Sequence, residues 1–187
     1  MKSEVFRLAC EFSYGAPLID NSFRGVVAEA IVRLALSPDW KWCSTGWAGW
    51  DFEHQDGTRL EIKQSAARQP WTISSARCLS RSFDIRARSG HYVGSEWKED
   101  FGRKAAIYVF ANHLRVDEEA DHRDPDQWEF YLLPTTELPD QKTISLSVLK
   151  RLAAPVAFQN LSVAVESLRS ATCGRNNAGL CNAAGGD

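Results

Sequence analysis

The sequence predicts an α/β domain, a central mixed β-sheet flanked by helices, and three observations predict it. Early in the chain Phe23, Val26, Val27, Ala30, Ile31 and Leu34 recur at three- and four-residue steps, the period of an amphipathic helix. Short apolar or alternating runs bounded by Gly, Pro and Asp follow, as strands require. Helical patterns then return near the C-terminus, so strands and helices interleave and the expected solution is a sheet with helices packed against it.

Each element has a local reason. The first helix spans 22–36, with Asn21 or Ser22 available as its cap and Pro38 beyond its end. Trp40, Trp42, Trp47 and Trp50, punctuated by Gly46 and Gly49, read as a short strand and a turn. Residues 49–54 and 58–64 read as a β-hairpin closed around Gln55, Asp56 and Gly57. Residues 65–104 are expected to hold a helix around 73–81 and a long polar loop with Gly90, Gly94 and Gly102. Residues 105–114 form a buried strand, 117–126 an acidic loop, 128–133 a strand ended by Pro134, and 142–146 a short strand. Helices are expected over 147–153 and 160–170. The Gly-, Asn- and Ala-rich tail from Ala171 has little to bury and is expected to be mobile. The division is thus one domain over 1–170, with a core at 22–113, an extension at 114–170 and a tail at 171–187.

The 187 residues suit one domain, and a chain of this length builds a core without staples. No run approaches the roughly 18 apolar residues that span a bilayer, and residues 1–4 do not read as a signal peptide. Cys10, Cys43, Cys78, Cys173 and Cys181 are odd in number and form no Cys-x-x-Cys pair, which points away from a disulfide framework or zinc site and towards the cytoplasm. Net charge is only −2. That total hides two opposed stretches: ten Lys/Arg against five Asp/Glu over 59–104, and nine Asp/Glu against one Arg over 117–140. The basic stretch supplies a phosphate-facing surface, or else both stretches are solvated faces that cancel.

The chemistry sits on the hairpin. Along Arg59-Leu60-Glu61-Ile62-Lys63, Leu60 and Ile62 face one way and Glu61 and Lys63 the other. A three-residue loop with Gly57 in the left-handed position pairs His54 with Thr58 and Asp51 with Glu61. A two-residue turn would set Asp51 opposite Ile62 and break the site. Two adjacent carboxylates repel unless a cation lies between them, and oxygen ligands of this kind suit Mg²⁺, which also binds substrate phosphate. Lys63 can then hold a water or a phosphate oxygen. Glu29, on the first helix, is a candidate fourth member; Gly25, one turn before it, leaves room for a ligand or for close packing. The alternative for Glu29 is a solvated helix glutamate.

This pattern, Asp51, nine intervening residues, then Glu61-Ile62-Lys63, resembles the PD-(D/E)xK nuclease superfamily with its restriction-endonuclease-like fold. The upstream helix with Gly25 and Glu29 resembles that layout too, and residues 22–113 follow its order of helix, three strands, helix and strand. Trp50 stands where the family often has proline. The resemblance implies that Asp51 and Glu61 are metal ligands with the carbonyl of Ile62, that Lys63 is the catalytic lysine, and that Glu29 corresponds to the helix acid of some members. It implies an endonuclease that uses Mg²⁺, with Mn²⁺ as a substitute, and acts on nucleic acid, DNA before RNA. A domain of this size often cuts one strand, so cutting both would call for a homodimer.

Gln64, Ser65, Arg68 and Gln69 follow the lysine and are candidates for substrate binding. Arg77, Arg81, Arg86 and Arg88 are candidates for backbone contacts, because arginine forks match phosphate oxygens. Trp47, Trp50 or Trp71 can stack on bases, though core packing is the competing use of tryptophan. His91 and Tyr92 lie between glycines, within reach of a substrate. The segment 121–126 lacks the glycine and terminal glutamate of an EF-hand and is expected to be a solvated acidic loop. No P-loop, dinucleotide fingerprint, Gly-x-Ser-x-Gly or His-Glu-x-x-His is present. The rival to a nuclease is a non-catalytic nucleic-acid-binding or assembly module that keeps the fold.

Overall fold

A computed structural model of the chain describes residues 1–44, 48–71 and 81–181, without the side chains of 174–181. Its helices are α1 (Lys2–Tyr14), α2 (Asn21–Ala35), α3 (Leu146–Leu152) and α4 (Phe158–Cys181). Its strands are β1 (Trp40–Trp42), β2 (Phe52–His54), β3 (Arg59–Ala66), β4 (Ser82–Asp84), β5 (Arg88–Val93), β6 (Glu96–Gly102), β7 (Ile107–His113), β8 (Trp128–Pro134), β9 (Thr143–Ser145) and β10 (Val156–Ala157). Six of them form one mixed sheet in the order β1-β2-β3-β7-β8-β10. Only β3 and β7 run parallel in it; the other pairs are antiparallel. The chain is therefore α/β, with helices on its sheet, as the interleaved patterns predict. No helix among the described residues is long and apolar enough to cross a membrane.

The two faces of the sheet bury two separate cores. On one, Phe52, Leu60, Ile62, Ile107, Val109, Ala111 and Phe130 meet Ala28, Ile31 and Val32 of α2 and Leu161 and Val165 of α4. On the other, Tyr108, Phe110, Tyr131 and Leu133 meet Phe83 of β4, Ile144 of β9, and Leu146 and Leu149 at α3. Strand β7 is buried along its whole length, which is why Ile107 to Ala111 run apolar without alternation before the buried polar residues Asn112 and His113. Strand β3 alternates because the second core ends short of it: Leu60 and Ile62 are buried, while Glu61 and Lys63 are partly open.

The hairpin has the predicted register. Phe52 pairs with Leu60 and Glu53 with Arg59; the regular pairing ends there, and the Asp51 N–H donates to the Leu60 carbonyl at 2.9 Å rather than completing a pair with Glu61. Gly57 adopts φ +85°, and its N–H donates to the His54 carbonyl at 2.9 Å. The Asp56 carboxylate accepts from the Thr58 N–H at 2.9 Å, closing the turn from inside. Helix α4 clamps it from outside. Arg169 ion-pairs with Asp56 and, at 2.8 Å, with Glu166, whose other oxygen accepts from the Trp40 indole at 2.7 Å.

Several expectations are corrected. Residues 82–102 are not a polar loop: they hold β4, which pairs with β9, and the hairpin β5–β6. Gly90 belongs to that hairpin, because a Cβ there would fall 2.3 Å from the Lys98 carbonyl oxygen and 2.7 Å from the Trp97 ring. The helix expected around 73–81 lies almost wholly outside the described residues. Helix α1 is additional, has no buried residue, and is held by local pairs of Arg7 with Glu4 and Glu11. Asp20, not Asn21 or Ser22, caps α2, accepting from the Ser22 N–H at 2.8 Å. Helix α4 continues past Ala171 to Cys181. The 117–126 segment is acidic but not merely solvated, since Ala120 and His122 within it are buried.

Gly57→Ala keeps the turn's side-chain bonds but forces a Cβ into the left-handed region, which costs roughly 1–2 kcal/mol. Urea unfolding of this variant is expected to show a lower midpoint by that amount with an unchanged slope.

Candidate functional site

Asp51, Glu61, Lys63 and Glu29 come together where β2 and β3 part. Asp51 lies just before β2, and its Oδ2 accepts from the Ile62 N–H at 2.6 Å. The N–H and C=O of one strand residue point the same way, so the Ile62 carbonyl also faces Asp51. Lys63 ion-pairs with Glu61, and their side chains are 22% and 17% exposed. Glu29, on α2, accepts from the Trp42 indole at 2.8 Å and from Ser44. Gly25 is not needed for close packing, as a Cβ there would meet nothing within 4 Å.

The electrostatics are those of crowded acids. Burial, then the neighbouring Glu61 and Glu29 carboxylates, push Asp51 up to about 8, against the Ile62 hydrogen bond and the Lys63 charge. Burial likewise raises Glu29, with Glu61 adding to it and Ser44 and Trp42 opposing. A cation among these oxygens would oppose both shifts by favouring the charged carboxylates. Among the described residues no three His, Cys, Asp or Glu side chains form a ligand group by themselves. A donor set here draws on Asp51, Glu61 and the Ile62 carbonyl, all hard oxygens that fit Mg²⁺ or Mn²⁺.

Tyr108, which the sequence reading did not single out, joins the site. It stands beside Glu61 in the parallel β3–β7 register. Burial first, then Glu61, raise its pKa, so its hydroxyl stays protonated and can donate. Its residue type was visible inside an apolar run, but only the pairing of β7 with β3 sets it there. In front lies a cavity of about 400 Å³ whose lining includes Glu61, Lys63, Tyr108, Arg86, Arg88 and His91. Arg86, Arg88 and His91 are thus near the site, as their residue types suggest.

The four residues proposed for substrate contact divide differently. Ser65 shares the face of Glu61 and Lys63 and pairs in register with Asn112. Gln64 points to the opposite face, where it and Gln69 hold the buried Arg24 through accepted bonds of 2.7 and 2.8 Å. Asn21 accepts from the same guanidinium at 2.8 Å. Arg68 donates to the Asp117 carbonyl, and its own carbonyl accepts from His122 Nε2 at 3.1 Å. Gln64 and Gln69 therefore satisfy a buried cation, and Arg68 ties the strand end to the acidic segment. Arg81 donates to Asn112 at 2.9 Å. Trp50 packs under Arg59, whose guanidinium lies 3.6 Å from its ring centroid, while Trp71 is exposed. Trp47 and Arg77 lie outside the described residues.

Comparison of the chain with known protein families, with curated proteins and with solved structures finds no match in any of the three. The class defined by fold and site is an α/β domain with partly buried acids, of which Glu61 lines a largely cationic cavity together with a lysine.

Because Asp51 is raised from 3.8 to about 8, its contribution to stability is present below pH 3.8 and lost as pH rises through 8. Asp51→Asn is therefore expected to raise the cation-free Tm by a few degrees at pH 8 and by less at pH 5, read by thermal denaturation in EDTA. His122 has the opposite sign. Burial, then His113 and Arg24, lower it from 6.5 to about 4, so its contribution is present above pH 6.5 and lost as pH falls through 4. In the Asp51→Asn background, which removes one opposing titration and leaves that of Glu29 in both proteins, acidification from pH 7 to 4.5 is expected to lower Tm more than in the same background carrying His122→Asn.

Proposed function

We propose that the protein is a metal-dependent endonuclease of the restriction-endonuclease-like type, hydrolysing phosphodiester bonds in nucleic acid, DNA before RNA. The observation that carries this reading is the Asp51 carboxylate held on the Ile62 N–H, between Glu61 and Lys63 in sequence, with those two side chains lining a cavity that also holds arginines. Phosphodiester cleavage needs charge neutralised on the phosphate oxygens and a proton taken from the attacking water. A Mg²⁺ or Mn²⁺ ion held by Asp51, Glu61 and the Ile62 carbonyl, with Glu29 beside them, would supply the Lewis-acid charge. The Lys63 ammonium, already held by Glu61, aims a charged hydrogen bond at a phosphate oxygen or the attacking water. The Tyr108 hydroxyl, kept protonated, donates from the next strand. Arg86 and Arg88, half-exposed at the cavity wall, meet the flanking phosphates.

The internal closure of the Lys63–Glu61 pair also favours a second reading, a nucleic-acid-binding module without catalysis. One experiment separates them. Supercoiled plasmid, circular single-stranded DNA and a long RNA are incubated with Mg²⁺ or Mn²⁺ and either the native protein or Lys63→Ala. The nuclease reading expects metal-dependent cleavage of at least one substrate, reduced at least about 100-fold in the variant. Equal cleavage by both proteins removes Lys63 from the reaction, and binding without cleavage of any substrate selects the module.

A further inference from the structure

The cavity in front of Glu61 and Lys63 has a second population of side chains, supplied by the β5–β6 hairpin and its flanks. These strands pair only with each other among the described residues, so the hairpin stands as a separate wall. We propose that this wall and the site floor form a pocket for one nucleotide of an unpaired strand, making single-stranded nucleic acid the substrate; the inference rests on the nuclease reading above.

Size comes first. About 400 Å³ falls at the lower end of the roughly 300–1,000 Å³ typical of small-ligand sites. It accommodates one nucleotide, whereas a duplex, with a major groove alone about 12 Å across, does not enter. Glu61 and Lys63 are mostly covered and line this space, so a phosphate reaches them most directly on a strand that has come apart.

Charge comes next. Lys63, Arg86, Arg88, Arg103 and Lys104 line the cavity against the carboxylates of Glu61 and Asp84. Arg103 is spent on the carbonyls of Ile85 and Pro139, each at 2.6 Å, and Lys104 pairs with Asp100 at 2.6 Å. Arg86 and Arg88 share the single carboxylate of Asp84, each at 3.0 Å, with half or more of each side chain exposed. Two cations on one anion leave positive charge facing the cavity, as a phosphate requires.

The wall also carries what a base requires. Trp97 rests against the backbone of Gly90, is 44% exposed and lines the cavity, with Tyr92 edge-on to it at 5.1 Å. His91 lies against Gly49 and also lines the cavity, and its Nδ1 is buried without a hydrogen-bond partner among the described residues. A stacking ring, an orphan polar atom and a pair of arginines, set against a hydrolytic floor, match base and phosphate together. Aromatic stacking beside a cationic groove is how unpaired strands are held without reading sequence.

Fluorescence anisotropy in EDTA, where no cleavage occurs, tests this with labelled single-stranded DNA, single-stranded RNA and a blunt DNA duplex of one sequence. The native protein is expected to bind a single strand at least about tenfold more tightly than the duplex. Trp97→Ala and the double variant Arg86→Ala/Arg88→Ala are each expected to lose about tenfold or more of that affinity. The arginine variant alters only half-exposed groups, so it reports on the pocket even if Trp97→Ala weakens the hairpin; Tm is measured for both. The DNA and RNA arms identify the sugar. Equal or tighter duplex binding, no binding to any probe, or single-strand affinity unchanged in both variants overturns the pocket. Cleavage of duplex by a protein with no single-strand preference leaves the nuclease and removes this inference; single-strand preference without cleavage does the reverse.

Discussion

A slip of one residue between β2 and β3 would turn Glu61 and Lys63 into the core beneath α2 and bring Leu60 and Ile62 out to the cavity. The site therefore depends on the register of one short hairpin. Three things hold it. Gly57 takes a φ of +85° that other residues reach only with strain. Asp56 bonds the turn internally through the Thr58 N–H. Helix α4 reaches across with Arg169 to grip Asp56 and, through Glu166, Trp40 at the sheet edge. Burial of Leu60 and Ile62 then makes any slip expensive, since a fully buried side chain of that size is worth about 1.5–3 kcal/mol.

Strand β3 thus serves two solvents. Its apolar residues complete the helix-packed core, while its charged residues face a partly open cavity. Gln64 marks the boundary: one step beyond Lys63 it is on the helix side and spends its oxygen on Arg24. That arginine is buried to 2% exposure, with neutral oxygens of Ile19, Asn21, Gln64 and Gln69 around its guanidinium. Burial first, then His113 and this cation, lower the basicity of His122, which serves as a hydrogen-bond bridge between Ile19 and Arg68 rather than as a charge. On the site face the crowding is of the other sign. Acids are gathered where they destabilise one another, an arrangement that favours a cation and costs stability without one.

The cavity follows from the topology. Two parallel neighbours, β3 and β7, need a crossover, because a strand that continues in the same direction must first be carried back. Here the crossover is long enough to hold β4, β5 and β6. β4 is absorbed into the second core through Phe83, which packs edge-on against Phe110 at 5.3 Å. The β5–β6 hairpin is left projecting, and it walls the space over Glu61 and Lys63. Tyr108 and the hairpin thus reach the site by the same route: the parallel pairing that aligns β7 with β3.

Much of this was legible in the residues. The periodicity of 22–36, the apolar run of 105–114 and the loop Gln55-Asp56-Gly57 specify α2, β7 and the hairpin, because each is governed by contacts within a few residues. The gathering of Asp51, Glu61 and Lys63 was legible for the same reason, since turn geometry and the two-residue period of a strand are local rules. The parity of Gln64 was available from that rule too, and its part in holding Arg24 was not, because Arg24 lies forty residues away in sequence. Tyr108 beside Glu61, His122 inside an acidic segment, and a polar stretch folded into a cavity wall all depend on which strands pair and which loops are covered. Those choices are made by long-range burial, where the partner's position and not the residue's own neighbours sets the energy, and only the tertiary structure decides them.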